Sequence, residues 1–228
     1  MAATGIRTHP AFVDPRPGVG FFGAYRALWD EVKGEWRRDP NVVYYLLASA
    51  VFRDGLTGVF AFGAVLGVSV YGVLQADVLV FGVCACVVAA IGAVLGGLLD
   101  DRVGSKPVIA GSLTAMIAVG LVLLALSGAL AFWICGLLLC LFVGPTLASA
   151  RALMVRMSAE GKEGVAFGLY TTTGRAVSFL APWIFFTFID LFGTDRAGMG
   201  GLCVVLAAGL VAMLIMVRVP ARRTRTTI

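Results

Sequence analysis

Three charges fall where charges are expensive. Arg53 and Asp54 stand about twelve residues into one long apolar stretch, and Arg175 about ten residues into another. At the centre of a bilayer each costs ~2.5–3.5 kcal/mol on insertion scales, which disfavours an unpaired position facing lipid. Neighbours on a helix point roughly 100° apart, so Arg53 and Asp54 do not face one another. Both stretches begin at the same side of the membrane in the topology argued below. Asp54 and Arg175 then lie at similar depth, and a contact between them is expected. A guanidinium there can hold a carboxylate through two parallel hydrogen bonds. A carboxylate beside it can take up a proton when a solute displaces the cation. The competing reading is a structural ion pair inside a helix bundle. Arg53, Asp54, Arg175 and the adjoining Thr172 and Thr173 form the expected substrate or proton site. Gly55, Gly58, Gly63 and Gly67, with Thr171 to Gly174, suggest helices loosened near the midplane, with backbone groups free to meet a solute. Glycine is also simply commoner in transmembrane helices.

Other chemistries find little support. The lone His9 sits in a tail rich in proline and glycine, leaving the apolar stretches without a histidine. Cys84, Cys86, Cys135, Cys140 and Cys203 all lie within apolar stretches and form no Cys-x-x-Cys pair. They read as small polarizable packing residues. No metal site, no cofactor and no enzymatic activity is expected, because no two carboxylates share an apolar stretch for acid–base work.

The elements that position the charges follow from composition. Hydrophobic residues make up 60% of the 228 and charged residues only 14%, with a mean hydropathy of +0.95. A soluble domain carries about a quarter charged residues. Crossing ~30 Å of hydrocarbon takes ~20 apolar residues. Residues 78–99 and 197–217 qualify without a charge. Residues 107–150 are also uncharged but would run ~66 Å as one helix, so they must fold back, with Ser127-Gly128 as the turn. Residues 42–71 and 165–189 complete six spans.

Lysine and arginine placement sets the orientation. With a cytoplasmic N-terminus, fifteen of the eighteen basic residues fall inside: six before Asn41, Arg102 and Lys106, Arg151, Arg156 and Lys162, and four from Arg218 onward. Only Arg196 falls outside. Both termini are expected in the cytoplasm of a cell (inner) membrane. The net charge of +5 is then a topology signal, and no nucleic acid partner is expected.

Between the second and third spans stands Gly97-Leu98-Leu99-Asp100-Asp101-Arg102-Val103-Gly104-Ser105-Lys106, a short charged loop. Gly97, Leu99, Asp101, Arg102, Gly104 and Lys106 resemble the cytoplasmic loop signature of the major facilitator superfamily of secondary transporters. Asp100 stands where a small residue is usual, and Ser105 where a basic one is usual. The resemblance implies a loop that governs conformation without touching solute, with Asp101 reaching toward Arg156. The signature occurs once in each six-helix half of that superfamily, and this chain has room for one half.

The expected fold is therefore all-α and integral to the membrane: six transmembrane helices forming one half-bundle of a major facilitator fold. Residues 1–20 read as a disordered cytoplasmic tail. Residues 21–40 read as an interfacial amphipathic helix, with Tyr25, Trp29, Val32 and Trp36 at helical spacing. Residues 41–219 are the membrane domain and 220–228 a basic tail. The third and sixth spans, uniformly small and aliphatic, are expected to face lipid, and the charged first and fifth to line a cavity.

A narrower resemblance rests on Phe52-x-Asp54-Gly55 with Val59 to Gly63, Gly144-Pro145 through Ser149 and Arg151, and Phe167 to Tyr170 through Gly174-Arg175 to Pro182. These look like the C-terminal half of the vacuolar amino-acid effluxer-like family, over residues 25–217. The resemblance implies export of a small solute, amino acids being the class known for its eukaryotic members, by alternating access. One bundle supplies one wall of such a pathway. The expected partners are the lipid bilayer, a small-molecule solute, and either a second copy or a separately encoded six-helix first half. The alternative is a membrane interaction subunit, or a remnant, without transport.

Overall fold

A computed structural model describes residues 33–34, 39–158 and 163–217. The expected tail, most of the amphipathic helix, Lys162 and the basic C-terminal tail lie outside the described residues. Six stretches among those described are long and apolar enough to cross a membrane, and no strand occurs. The spans are α1 (Pro40–Ser69), α2 (Gln75–Val103), α3 (Ser105–Ala125), α4 (Ala129–Met157), a fifth divided into α5 (Glu163–Ala176) and α6 (Leu180–Phe192), and α7 (Ala197–Met216). The fold is the all-α integral membrane architecture that composition implied.

Local chemistry sets the boundaries. Asp39 caps α1 by accepting the Asn41 amide at 2.9 Å, and Pro40 occupies the first turn, where no amide donor is needed. Gly128, at φ 94°, makes the turn expected between α3 and α4. The charged loop is tighter than its residues suggested. α2 continues through Asp100, Asp101 and Arg102 to Val103, and α3 starts at Ser105. Gly104 alone, at φ 93°, reverses the chain.

The core lies between α1, α3, α4 and α7, with Phe52, Leu56, Ile109, Leu113, Leu153, Leu202 and Leu206 almost fully buried. α2 packs chiefly on α4, and α5 rests chiefly on α1 and α4. This arrangement corrects the expectation for the third and sixth spans. In their most apolar stretches 39% and 44% of residues are buried, against 17% and 11% in the second and fifth. Lipid tails and an apolar helix face are equally apolar solvents, so polarity could not separate them. Small residues did the work instead. Gly209 of α7 lies against Phe52, where a Cβ would stand 2.6 Å from that of Phe52, and Gly120 lies against Cys203 at 2.6 Å.

The glycines of α1 also play a different part from the one expected. α1 runs unbroken through Gly55, Gly58, Gly63 and Gly67. A Cβ on Gly55 would meet Leu206 at 2.9 Å, on Gly58 Leu202 at 2.7 Å, and on Gly67 Phe132 at 2.8 Å. Three of these glycines admit neighbouring helices; they do not loosen their own.

Candidate functional site

Midway along α1, Arg53 and Asp54 send their side chains to the two halves of the fifth span. Asp54 is buried, and its carboxylate accepts the backbone amide of Ala181 in the first turn of α6. That amide belongs to the set with no partner inside its own helix. Asp54 thus supplies from another helix the acceptor that a capping side chain normally supplies locally, and its charge suits the positive end of the helix dipole. The break that creates this N-terminus, at residues 177–179, follows from Pro182. Proline inside a continuous helix loses one hydrogen bond and clashes with the carbonyl four residues back, whereas in a first turn it is tolerated.

Arg53 turns to α5. It donates to the Tyr170 carbonyl at 2.9 Å, and its guanidinium lies 4.0 Å from the centre of the Tyr170 ring. Gly174 provides the notch: a Cβ there would stand 2.8 Å from Nη1 of Arg53. The Tyr170 ring stacks on Tyr45 at 6.5 Å, and the Tyr45 hydroxyl donates to the Ala150 carbonyl at 2.6 Å. α1, α5 and α4 are joined through this chain of contacts.

A cleft of about 480 Å³ opens beside these groups. Arg53, Asp54, Thr57, Arg151, Thr171, Arg175 and Ser178 give it its polar lining, and Leu56, Phe60, Val143 and Leu147 its apolar wall. Of the expected residues, Arg53, Asp54 and Arg175 come together in it. Thr172 and Thr173 do not line it, although Thr171 does. All three threonines donate to the carbonyl four residues back, at 2.8–2.9 Å. The expected Asp54–Arg175 contact is not made among the described residues: Asp54 is committed to α6, and Arg175 stands exposed on the last turn of α5, before the break. Arg151 was expected in a cytoplasmic segment. α4 continues past it to Met157, and Arg151 lines the cleft. The apolar spacing of Leu153, Met154 and Met157, all buried, was the available signal.

At the α2–α3 turn the signature residues divide. Buried Asp100, the departure from the family pattern, holds Arg156 of α4 at 2.9 Å, while Asp101 stands 4.0 Å from it and is largely exposed. Arg156 also donates to Ser105 at 2.8 Å. Lys106 donates to the carbonyls of Val217 at 2.6 Å and Leu214 at 3.3 Å, satisfying the end of α7. Gly97 lies inside α2 with open space where a side chain would go, and Arg102 is exposed. At the other end of the bundle Arg196 donates to Ser127 at 2.8 Å and sits 5.7 Å from the Tyr71 ring.

Six spans, a signature turn and a charged cleft midway along the first span define a multi-pass membrane protein of the transporter type, fitting one half of a major facilitator fold. The chain belongs to the family described as "Vacuole effluxer Atg22 like", which matches residues 3–226 and lies within the major-facilitator-type transporters. No curated protein matches it.

Proposed function

We propose that this chain forms one wall of a secondary-active exporter that moves a small solute through the Arg53–Asp54–Arg175 cleft by alternating access. The observation that carries the reading is the cleft itself. It places charged groups from α1, α4 and α5 beside an apolar wall, midway along α1. Such groups facing lipid would be costly, whereas a solute pathway between two bundles gives them water and ligand. The low burial of the second and fifth spans supports a second bundle packed against them. A second copy or a separately encoded six-helix half would supply it. The family description supports export, and amino acids are the solute class implied by the resemblance. The basic-residue pattern supports both termini in the cytoplasm, and a cell (inner) membrane location belongs to the same reading.

Counterflow into proteoliposomes tests this. Protein purified as its assembled species should accumulate labelled leucine, glutamate or succinate above protein-free vesicles, and Arg175→Gln should abolish that uptake. Absence of flux for all three, in a preparation verified as folded and assembled, would contradict the proposal.

A further inference from the structure

The cleft carries three guanidinium groups and one carboxylate, and the carboxylate is already engaged. Arg53, Arg151 and Arg175 converge from α1, α4 and α5. Asp54 accepts the Ala181 amide at the N-terminus of α6, whose dipole adds partial positive charge. Among the described residues neither Arg151 nor Arg175 makes a side-chain hydrogen bond or ion pair, and Arg53 spends one donor on the Tyr170 carbonyl. Arginine carries five N–H donors in a planar fork and stays charged. The hydroxyls of Thr57, Thr171 and Ser178 donate back to the carbonyls of Arg53, Phe167 and Arg175, at 3.0, 2.9 and 2.8 Å. What the cleft offers a ligand is thus mostly cationic donors, in excess of any negative charge on the same wall.

From this excess we infer that the solute taken by this cleft is a small organic anion bearing two negative groups, carboxylate or phosphate, and not a net-neutral zwitterion. The inference rests on the transport reading of the same cleft. Two anionic groups can engage guanidiniums on different helices, each through two parallel hydrogen bonds, which also fixes the ligand's orientation. The ammonium of a zwitterion would instead sit among like charges, with one occupied carboxylate to balance them, a repulsion strengthened away from bulk water. Phe60, Val143 and Leu147 give the carbon skeleton an apolar surface. A volume of about 480 Å³ accommodates a solute of this size with room for water.

Equilibrium binding, measured without flux, separates this inference from transport. The assembled protein in lipid nanodiscs is titrated with succinate, glycerol 3-phosphate and leucine. At least one of the two anions should bind, with leucine at least about tenfold weaker. Arg151→Gln and Arg175→Gln should each weaken anion binding roughly ten- to a hundredfold, the worth of one charge-assisted contact. Arg175→Lys, which keeps the charge, should retain more affinity than Arg175→Gln and guards against a folding artefact. Leucine binding as tightly as the anions, no binding of either anion, or unchanged anion affinity in both glutamine variants overturns the inference. Anion binding without flux leaves the inference standing and removes the transport reading. Leucine binding accompanied by leucine flux, with no anion bound, does the reverse.

Discussion

Asp54 combines a structural contact with a charge, and two substitutions separate them. Asparagine ranks with aspartate as a helix cap because its side-chain oxygen also accepts from a backbone amide. Asp54→Asn should therefore leave the apparent melting temperature of the purified protein nearly unchanged. Asp54→Ala removes the acceptor from the Ala181 amide and should cost ~1–2 kcal/mol of stability. Equal melting of the two variants would show that this hydrogen bond contributes nothing. A similar contrast applies at the signature turn. Asp100 is buried against Arg156, whereas Asp101 is largely exposed at the edge of that contact. Because Arg156 is itself 46% exposed, the pair contributes about 1 kcal/mol and not the several of a fully buried one. Asp100→Asn should nonetheless loosen the α2–α4 end more than Asp101→Asn, seen as a broader inter-helix distance distribution between spin labels there. The reverse order would return the role to Asp101.

Among the elements, α2 and α4 approach each other closely, and their glycines differ in what they are for. Gly144 lies against the Ala89 carbonyl and the Ala93 amide, and Gly92 against the Leu141 carbonyl, with Pro145 beside Gly92 and Gly96. An added methyl at Gly144 meets backbone that cannot yield. Gly144→Ala should destabilise the bundle by several kcal/mol, in the range of overpacked cores or above it. Gly97→Ala meets open space inside a helix and should be neutral or slightly stabilising, by up to ~1 kcal/mol. Thermal melts of both variants decide this, and a destabilising Gly97→Ala would contradict the open packing described for α2.

The number of spans and the Ser127-Gly128 turn were legible in the sequence because hydropathy and glycine report local requirements. The division of the fifth span was partly legible: Pro182 marks it, although the Thr171–Gly174 segment drew attention to the wrong place. Which helices face lipid was not legible, since membrane and apolar core present the same chemistry to a leucine. Nor did sequence give the partner of Asp54, a backbone amide freed only when the fifth span breaks. Arg151 was missed because a charge near a helix end looks the same whether it anchors topology or lines a cleft.

At the scale of the whole molecule, the bundle leaves its second and fifth spans largely uncovered, and beside the fifth lies a charged cleft. Association through these uncovered spans is expected. Cross-linking through Cys86, a native thiol exposed on α2, should trap a dimer or a complex in bilayers, and its failure alongside a monomeric mass would contradict a two-bundle assembly. The orientation follows the same logic: in a cysteine-free background, an external thiol reagent should reach Thr194→Cys and miss Arg102→Cys.

A solute pathway through the Arg53–Asp54–Arg175 cleft differs from a sealed structural pocket in its access to water. Its most direct test is water access in the native bilayer. A single cysteine at Thr57, on the cleft wall, should react with a membrane-impermeant thiol reagent, while one at Val122, exposed on α3 away from the cleft, should stay unmodified. Reaction at Thr57→Cys alone is expected of an open pathway. A Thr57→Cys protein as unreactive as Val122→Cys, applied from either side of the membrane, would contradict it.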